Sequence, residues 1–406
     1  MKLLKEVLQE IKPTKKEEKE VLGLAKKIMT TINRHGKGVK AILGGSGAKG
    51  TTLKSFDADI FVKFKYSIYA EKNDHLSDML EKILKREFSS VTRLHGSRDY
   101  FQLTIKGYTF EIVPILDITT VRMARNITDV SPLHAKWVLK HKKYQNDMRL
   151  TKQFCKAAGV YGAESYLQGF SGYVCEILTV HYRGFLPLLN AAVKWKEKQV
   201  IDIHYHYKGK DVFREMNLSK LQSPLIVIDP VQKERNAAAA LSKEKCTLFI
   251  DTAKKFLARP SKEFFFQQKI QNTKKKPFVV ILTPLDGKRD VVGSKIVKCI
   301  EEMTRIIEQH EFTLLSKNWE WGQNDARIYF YLKEEKLSDE KQIEGPLKGQ
   351  KEHVERFRAK YGKTKMMGNR LYATIKRFVR ERKDLTPLIK KNQYVHERCK
   401  KIEVQI

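Results

Sequence analysis

The chain has 406 residues, which suits about two to four domains rather than a single core. Its 41% hydrophobic content builds packed cores and excludes a disordered or fibrous protein, and no apolar run reaches the roughly 18 residues of a membrane span. Its 79 Lys+Arg outnumber 47 Asp+Glu, a net +32 spread along the chain, and so point to a polyanionic partner.

The opening segment, MKLLKEVLQEIKPTKKEEKE, is charged throughout and lacks the apolar centre of a signal peptide, so a cytoplasmic protein is expected. Residues 1–35 read as helix, with Val7, Ile11, Val21, Leu24, Ile28 and Ile32 at roughly helical spacing and a break at Pro13. VKAIL follows as a short strand, GGSG as a turn, and ADIFVKF (58–64) as a second strand. Residues 74–88 read as helix, and FQLTI and YTFEIVPIL as two strands joined tightly through Lys106-Gly107. From 131 to 200 the pattern is helical, with a stop at Gly159, and LIVIDP (225–230) is a short strand. Residues 237–258 return to helix, and Arg259-Pro260-Ser261 marks a boundary. Beyond it, PFVVILTPL and RIYFYLKEE read as strands and IVKCIEEMTRIIEQH as an amphipathic helix. The five cysteines have no CxxC spacing, which argues against both a disulfide framework and a zinc site.

The stretch GGSGAKGTTLKSFDADIFVKF (44–64) carries the chemistry. Alternate residues of a strand share a face, so Asp57 and Asp59 point one way while Ala58, Ile60, Val62 and Phe64 point into the core. Two adjacent acids repel unless a divalent cation lies between them. Glu111 stands mid-strand between apolar Phe110 and Ile112 and supplies a third carboxylate. Three carboxylates on strands form the ligand set of two-metal phosphoryl transfer, with Mg2+ as the expected ion. Upstream, Gly44, Gly45 and Gly47 let backbone amides approach phosphate oxygens, Ser46 offers a hydroxyl, and Lys49 and Lys54 add positive charge. A Gly-Ser turn, a DxD strand and a later strand acid, in that order, resemble the nucleotidyltransferase superfamily that includes DNA polymerase beta and the poly(A) polymerases.

Further segments narrow the resemblance. SPLHAKW (131–137), YGAESYLQGFSGYVCEIL (161–178), VIDPVQKERNAAAALS (227–242) and ARPSKEF (258–264) are similar to those of archaeal-type, class I CCA-adding enzymes. So are EGPLKGQKEHVERFRAKY (344–361) and GNRLYATIKRF (368–378), and the likeness runs from about residue 1 to 400. The resemblance implies nucleotide contacts at Ser46, Lys49, His134, Lys152 and Tyr161, with Arg235 shaping the nucleobase pocket. The family usually has aspartate at the third metal position, where this chain has Glu111, and arginine is common where it has Lys49.

The expectation is therefore an α+β protein in three parts. Residues 1–145 would form a polymerase-beta-like catalytic head, 146–260 a helical central domain closing the nucleotide pocket, and 261–406 an α/β region binding tRNA. The implied activity is template-independent addition of C, C and A to the 3′ end of tRNA from CTP and ATP. The tRNA would be held along its acceptor and T arm, with no membrane involved, and the sequence is compatible with a homodimer. The alternative is an ATP-only transferase, such as a poly(A) polymerase or an oligoadenylate synthase.

Overall fold

The computed structural model describes residues 2–54, 58–266, 276–322 and 324–405. The chain divides into two compact units, residues 1–269 with 288–290, and residues 270–287 with 291–406.

The first unit opens with helix Lys2–Ile11, a break at Pro13, and helix Lys15–Asn33. Thr14 starts the second helix through a capping box with Glu17, which satisfies amides that a helix N-terminus otherwise leaves without partners. Strands β1 (Val39–Leu43), β2 (Ala58–Lys65), β3 (Val91–Leu94), β4 (Tyr100–Ile105) and β5 (Tyr108–Asp117) form a sheet in the order β1-β2-β5-β4-β3. β2 and β5 pair in parallel, while the other neighbours are antiparallel. The β4–β5 hairpin turns on Lys106 and Gly107, both at positive φ, the backbone pair that matches the twist of a two-residue hairpin.

The predicted alternation holds along β2. Ala58, Ile60, Val62 and Phe64 are all buried in a core shared with Phe101, Phe110 and Ile112. Helix 15–33 adds Val21, Ala25, Ile28 and Ile32 to that core at helical spacing, and helix Leu76–Glu87 adds Leu76, Leu80, Ile83 and Leu84.

Helices Gln145–Ala157, Gly172–His181, Phe185–Ala192 and Lys243–Ala258 build a second core in the same unit, joined by Val7 and Ile11 of the first helix. Phe154 is central to it, with the rings of Phe185, Phe249, Phe256, Phe264 and Phe265 within 6.4 Å of its own. Two stretches read as helix are not helical. The helix predicted to reach residue 200 ends at Ala192, and that predicted from 237 begins at Lys243. Between them lie a parallel pair, β6 (Gln199–Ile201) and β7 (Leu225–Val227), and a chain of turns. The reason is local. Asn236 accepts from the amides of Val227 and Ala238 and donates to the Lys220 carbonyl, which takes backbone partners away from a helix. Ser242 then caps the helix that does form by accepting from the Lys245 amide.

In the second unit, β8 (Phe278–Pro284), β9 (Leu314–Trp321), β10 (Ala326–Leu332) and β14 (Cys399–Gln405) form an antiparallel sheet in the order β14-β8-β10-β9. Helix Arg289–Gln309 buries Ile296, Cys299, Ile300, Met303, Ile306 and Ile307 in its core. A smaller sheet of β11 (Glu340–Leu347), β12 (Thr364–Met367) and β13 (Arg370–Lys376) accompanies helix Lys351–Tyr361, which buries none of its own residues. All five cysteines are buried free thiols.

A buried ion pair braces the first sheet. Asp129 is fully buried, pairs with Arg98, and accepts from the amides of Leu116, Arg125 and Asn126. Asp129→Ala leaves the Arg98 guanidinium buried without its counter-charge. Denaturant unfolding should therefore show a loss of about 3–5 kcal/mol in the first unit, whereas an exposed surface pair would register under about 1 kcal/mol.

Candidate active site

The site begins where the first residues of β2 lie beside β5. Their parallel register places Asp59 directly opposite Glu111. Each is flanked along its strand by buried apolar residues, Ala58 and Ile60 beside Asp59, Phe110 and Ile112 beside Glu111. The period of two thus puts both carboxylates on the face away from the core. Asp57 lies outside the described residues. Among the described residues, no group of three or more His, Cys, Asp or Glu is arranged to hold a metal ion.

The GGSG segment, expected as a turn, is instead the start of a short helix, Gly45–Lys49. Gly44 donates its amide to the Asp59 carbonyl at 2.8 Å, which fastens this helix to β2. Gly45 has φ of +51°, and a Cβ there would fall 1.5 Å from Asp59 Oδ2. Only a residue without a side chain leaves room for that carboxylate. The same helix carries Ser46 and Lys49.

Lys49 leads to a buried carboxylate that the sequence reading did not single out. Glu176, on helix 172–181, is fully buried. Its Oε2 lies 2.9 Å from Lys49 Nζ, and its Oε1 lies 2.6 Å from Lys152 Nζ and 2.8 Å from the Thr51 hydroxyl. Lys152 Nζ also donates to Thr51 Oγ1 at 2.8 Å. Burial alone would raise the Glu176 pKa, but the ammonium groups of Lys152 and Lys49 outweigh it and hold it at about 2. For Lys152, burial lowers the pKa against the pull of Glu176. With both lysines charged, two cations face one anion, and the cluster carries a surplus positive charge. Lys152 is therefore an inward-facing, 4% exposed residue rather than a surface lysine.

Tyr161 lies beside this cluster. Residues 161 and 170 pair as an isolated bridge after the stop at Gly159, which turns Tyr161 back over the N-terminus of helix 172–181. A Cβ on Gly172 would come within 2.7 Å of the Tyr161 hydroxyl and 3.5 Å of Lys152 Cε. Burial pushes the Tyr161 pKa up, so the phenol keeps its proton and remains a donor.

A second buried carboxylate organises His134 and Arg235. Asp229, at the end of the LIVID run, is fully buried. His134 Nε2 lies 3.1 Å from its Oδ2, and Arg235 Nη1 donates to the same oxygen at 2.7 Å. The Tyr173 hydroxyl donates to Oδ1 at 3.2 Å, and the His134 ring stacks on Tyr173 with centroids 4.1 Å apart. Burial would raise the Asp229 pKa, but His134, the Val231 amide and Arg235 bring it to about 2. Burial lowers the His134 pKa, and Asp229 opposes that shift. Arg235 lies in the turns between β7 and helix 243–258, with its side chain about a third exposed. Lys49 Nζ is 5.2 Å from the Tyr173 ring centroid, which joins the two clusters.

Lys49, His134, Lys152, Tyr161 and Arg235 therefore form one connected wall, and helix 45–49 links it to Asp59. The residues missed were the organisers Glu176, Asp229, Tyr173 and Thr51. The signal that picked out Glu111, an acid inside an apolar run, is equally present in GYVCEILTV and LIVIDP.

Three family models match the chain: a nucleotidyltransferase domain over residues 25–112, a tRNA nucleotidyltransferase second domain over 146–266, and a CCA-adding enzyme C-terminal domain over 275–398. Among solved structures, the Cid1 poly(U) polymerase bound to MgATP superimposes with a TM-score of 0.54 over 66% of this chain and 98% of its own, at 15% identity. A cytoplasmic RNA terminal U-transferase gives 0.51, with the same coverage and identity. These two share the nucleotidyltransferase fold with this chain. Curated relatives are closer. The CCA-adding enzyme of Nanoarchaeum equitans is 38% identical over 71% of this chain and 72% of its own length. The CCA-adding enzyme of Methanocaldococcus jannaschii is 32% identical over 92% of this chain and 87% of its own. A likeness that runs through head, central and C-terminal segments at this level identifies the chain as a member of the archaeal-type CCA-adding enzyme family, the tRNA nucleotidyltransferases.

Proposed function

We propose that this protein adds C, C and A to the 3′ end of tRNA without a nucleic-acid template, using CTP and ATP and releasing pyrophosphate. The observation that carries the reading is Asp59 facing Glu111 across β2 and β5, beside a helix whose Lys49 is shared with Lys152 around Glu176. Family membership favours this over an ATP-only polymerase, because a CCA-adding C-terminal domain spans 275–398.

Each residue has a part in the transfer. The RNA 3′-hydroxyl gives up its proton to water, its oxygen bonds to the α-phosphorus of the incoming nucleotide, the bond from that phosphorus to the bridging oxygen breaks, and pyrophosphate departs. Ser46 and Lys49 on helix 45–49, with Lys152 and Tyr161, bind the triphosphate, and the surplus positive charge around Glu176 offsets the charge of the departing pyrophosphate. His134 completes the phosphate contacts and Arg235 presents donors to base edges. Asp57, Asp59 and Glu111 would hold divalent cations, with Mg2+ proposed. The space left by Gly45 beside Asp59 and the in-register Asp59–Glu111 pair fit that donor set. When bound, such ions make the hydroxyl more acidic and offset phosphate charge.

The three-part division is part of this proposal, with the catalytic head at 1–145, the central domain at 146–260 and the C-terminal region at 261–406. Residues 351–406 carry 17 Lys/Arg against six Asp/Glu. Duplex RNA is recognised mainly through shape, phosphates and 2′-hydroxyls, which suits an enzyme that must accept every tRNA along its acceptor and T arm in the cytoplasm.

The deciding assay incubates tRNA lacking its 3′ end with magnesium, CTP and ATP. Addition of both C and A, stopping after three nucleotides, is expected; an unlimited run of A alone would establish the ATP-only reading.

The carboxylate assignment and the charge assignment each have a test. Glu111→Gln keeps size but removes an anionic oxygen, so single-turnover addition should fall about a hundredfold or more while tRNA binding persists. Near-normal turnover would send the search for the third ligand to Asp117, whose pairing with Lys63 makes it a weaker candidate. For charge, tRNA affinity should weaken by at least about tenfold between roughly 50 and 200 mM salt, through counterion release. A flat response would detach the +32 charge from RNA binding.

A further inference from the structure

The two oxygens of Asp229 do different work. Oδ1 is fixed by the backbone, accepting from the amides of Val231 at 2.9 Å and Gln232 at 3.4 Å, and by the Tyr173 hydroxyl. Oδ2 is left for two side chains, His134 and Arg235, which approach the same atom at 3.1 and 2.7 Å. An ionised carboxylate has no proton to donate, so Nε2 of His134 carries the hydrogen of that contact. In the neutral ring the other nitrogen, Nδ1, then has a free lone pair. The Arg235 guanidinium already neutralises the carboxylate, so His134 need not be charged to satisfy it.

A shared oxygen links its two donors. If Arg235 turns toward a base and loosens its hold on Oδ2, the carboxylate's charge falls more fully on His134 and favours its imidazolium, the form that attracts phosphate. If Arg235 stays, His134 remains neutral. The burial of Asp229, at 0% exposure, keeps water from screening this exchange.

We propose that Asp229 is a positioning residue that couples nucleobase selection through Arg235 to triphosphate binding through His134. The inference rests on the functional reading above, in which His134 and Arg235 face the nucleotide. Asp229 itself touches neither base nor phosphate and acts through the two side chains it holds. A nucleotide whose base engages Arg235 correctly is thereby also bound better at its phosphates, and a wrong base loses on both counts.

The test uses the full chain and a tRNA ending in CC, with single-turnover addition from each of ATP, CTP, UTP and GTP. Asp229→Asn keeps the shape and removes the charge. Its KM for ATP should rise and its preference for ATP over the other three should fall, each by about tenfold, the size expected for coupling between neighbouring groups. A merely structural role would slow all four nucleotides by one factor and leave their ratios unchanged, and that result overturns the inference. A cycle of His134→Ala and Arg235→Ala, singly and together with Asp229 intact, gives a second readout that does not depend on Asp229→Asn folding. The double variant should lose about tenfold less than the product of the single losses, and additive losses overturn the proposal. A wild-type chain that adds nothing to any tRNA end overturns the functional reading and this inference with it. An active wild type with unchanged ratios in Asp229→Asn overturns the inference alone.

Discussion

Glu176 is the group on which the arrangement of the site depends. It brings together Lys49 from the helix after β1, Thr51 from the loop beyond it, and Lys152 from helix 145–157. Two separate chain segments, 49–51 and helix 145–157, are thereby tied to helix 172–181 through one carboxylate. Such a cluster is expensive to bury and brings little net stability, since the desolvation of each charge offsets most of the attraction. What it secures is placement. A lysine on a flexible stem binds phosphate as a point charge and must be held in place by something else. Glu176 holds two of them, one negative charge for two positive ones, and in the proposed function the remainder meets the triphosphate.

The strand acids follow from a different constraint. A parallel pairing of β2 with β5 in one register puts Asp59 opposite Glu111, and a shift of one residue would send either side chain into the core. The buried neighbours Ile60, Val62, Phe110 and Ile112 fix that register, so the packing that stabilises the sheet also aligns the carboxylates. Gly45 is part of the same constraint. Its positive φ lets the chain leave β1 and start a helix at once, and its missing side chain leaves space for the Asp59 carboxylate. The longer side chain at Glu111 changes reach but not register.

The legible parts of the sequence were those governed by a short period. Alternation along 58–64 and 108–116 gave the strands, their buried faces and the two acids, and Lys106-Gly107 gave the hairpin. Helical spacing gave Val21 to Ile32 and the helix following Gly287. What stayed hidden depends on partners far apart in sequence. Glu176 is separated from Lys49 by 127 residues and from Thr51 by 125, and no local pattern records such a meeting. The irregular stretch before helix 243–258 reads as helix because NAAAALS has strong helix propensity, yet Asn236 spends its side-chain amide and carbonyl on backbone groups of neighbouring segments. GGSG reads as a turn because glycine is a poor helix former, yet a single helical turn forms where the amide of Gly44 is held by Asp59 and Gly50 ends the helix in a left-handed conformation.

The two units also show different kinds of polar surface. In the first, charge is turned inward, and Glu176, Asp229 and Asp129 each satisfy several donors that are themselves largely buried. Positions are over-determined there, as a site requires when an error of an ångström costs rate. In the second, helix 351–361 buries none of its residues and lies in the stretch where 17 basic side chains outnumber six acidic ones. Charge left exposed in that way acts through long-range attraction that water and salt screen, which tolerates variation in what is bound. Selection and holding thus draw on opposite uses of charge. In the proposed function, selection draws on buried carboxylates that fix a few cations to within hydrogen-bond distance, and holding draws on exposed cations, several of them paired with acids of the same unit.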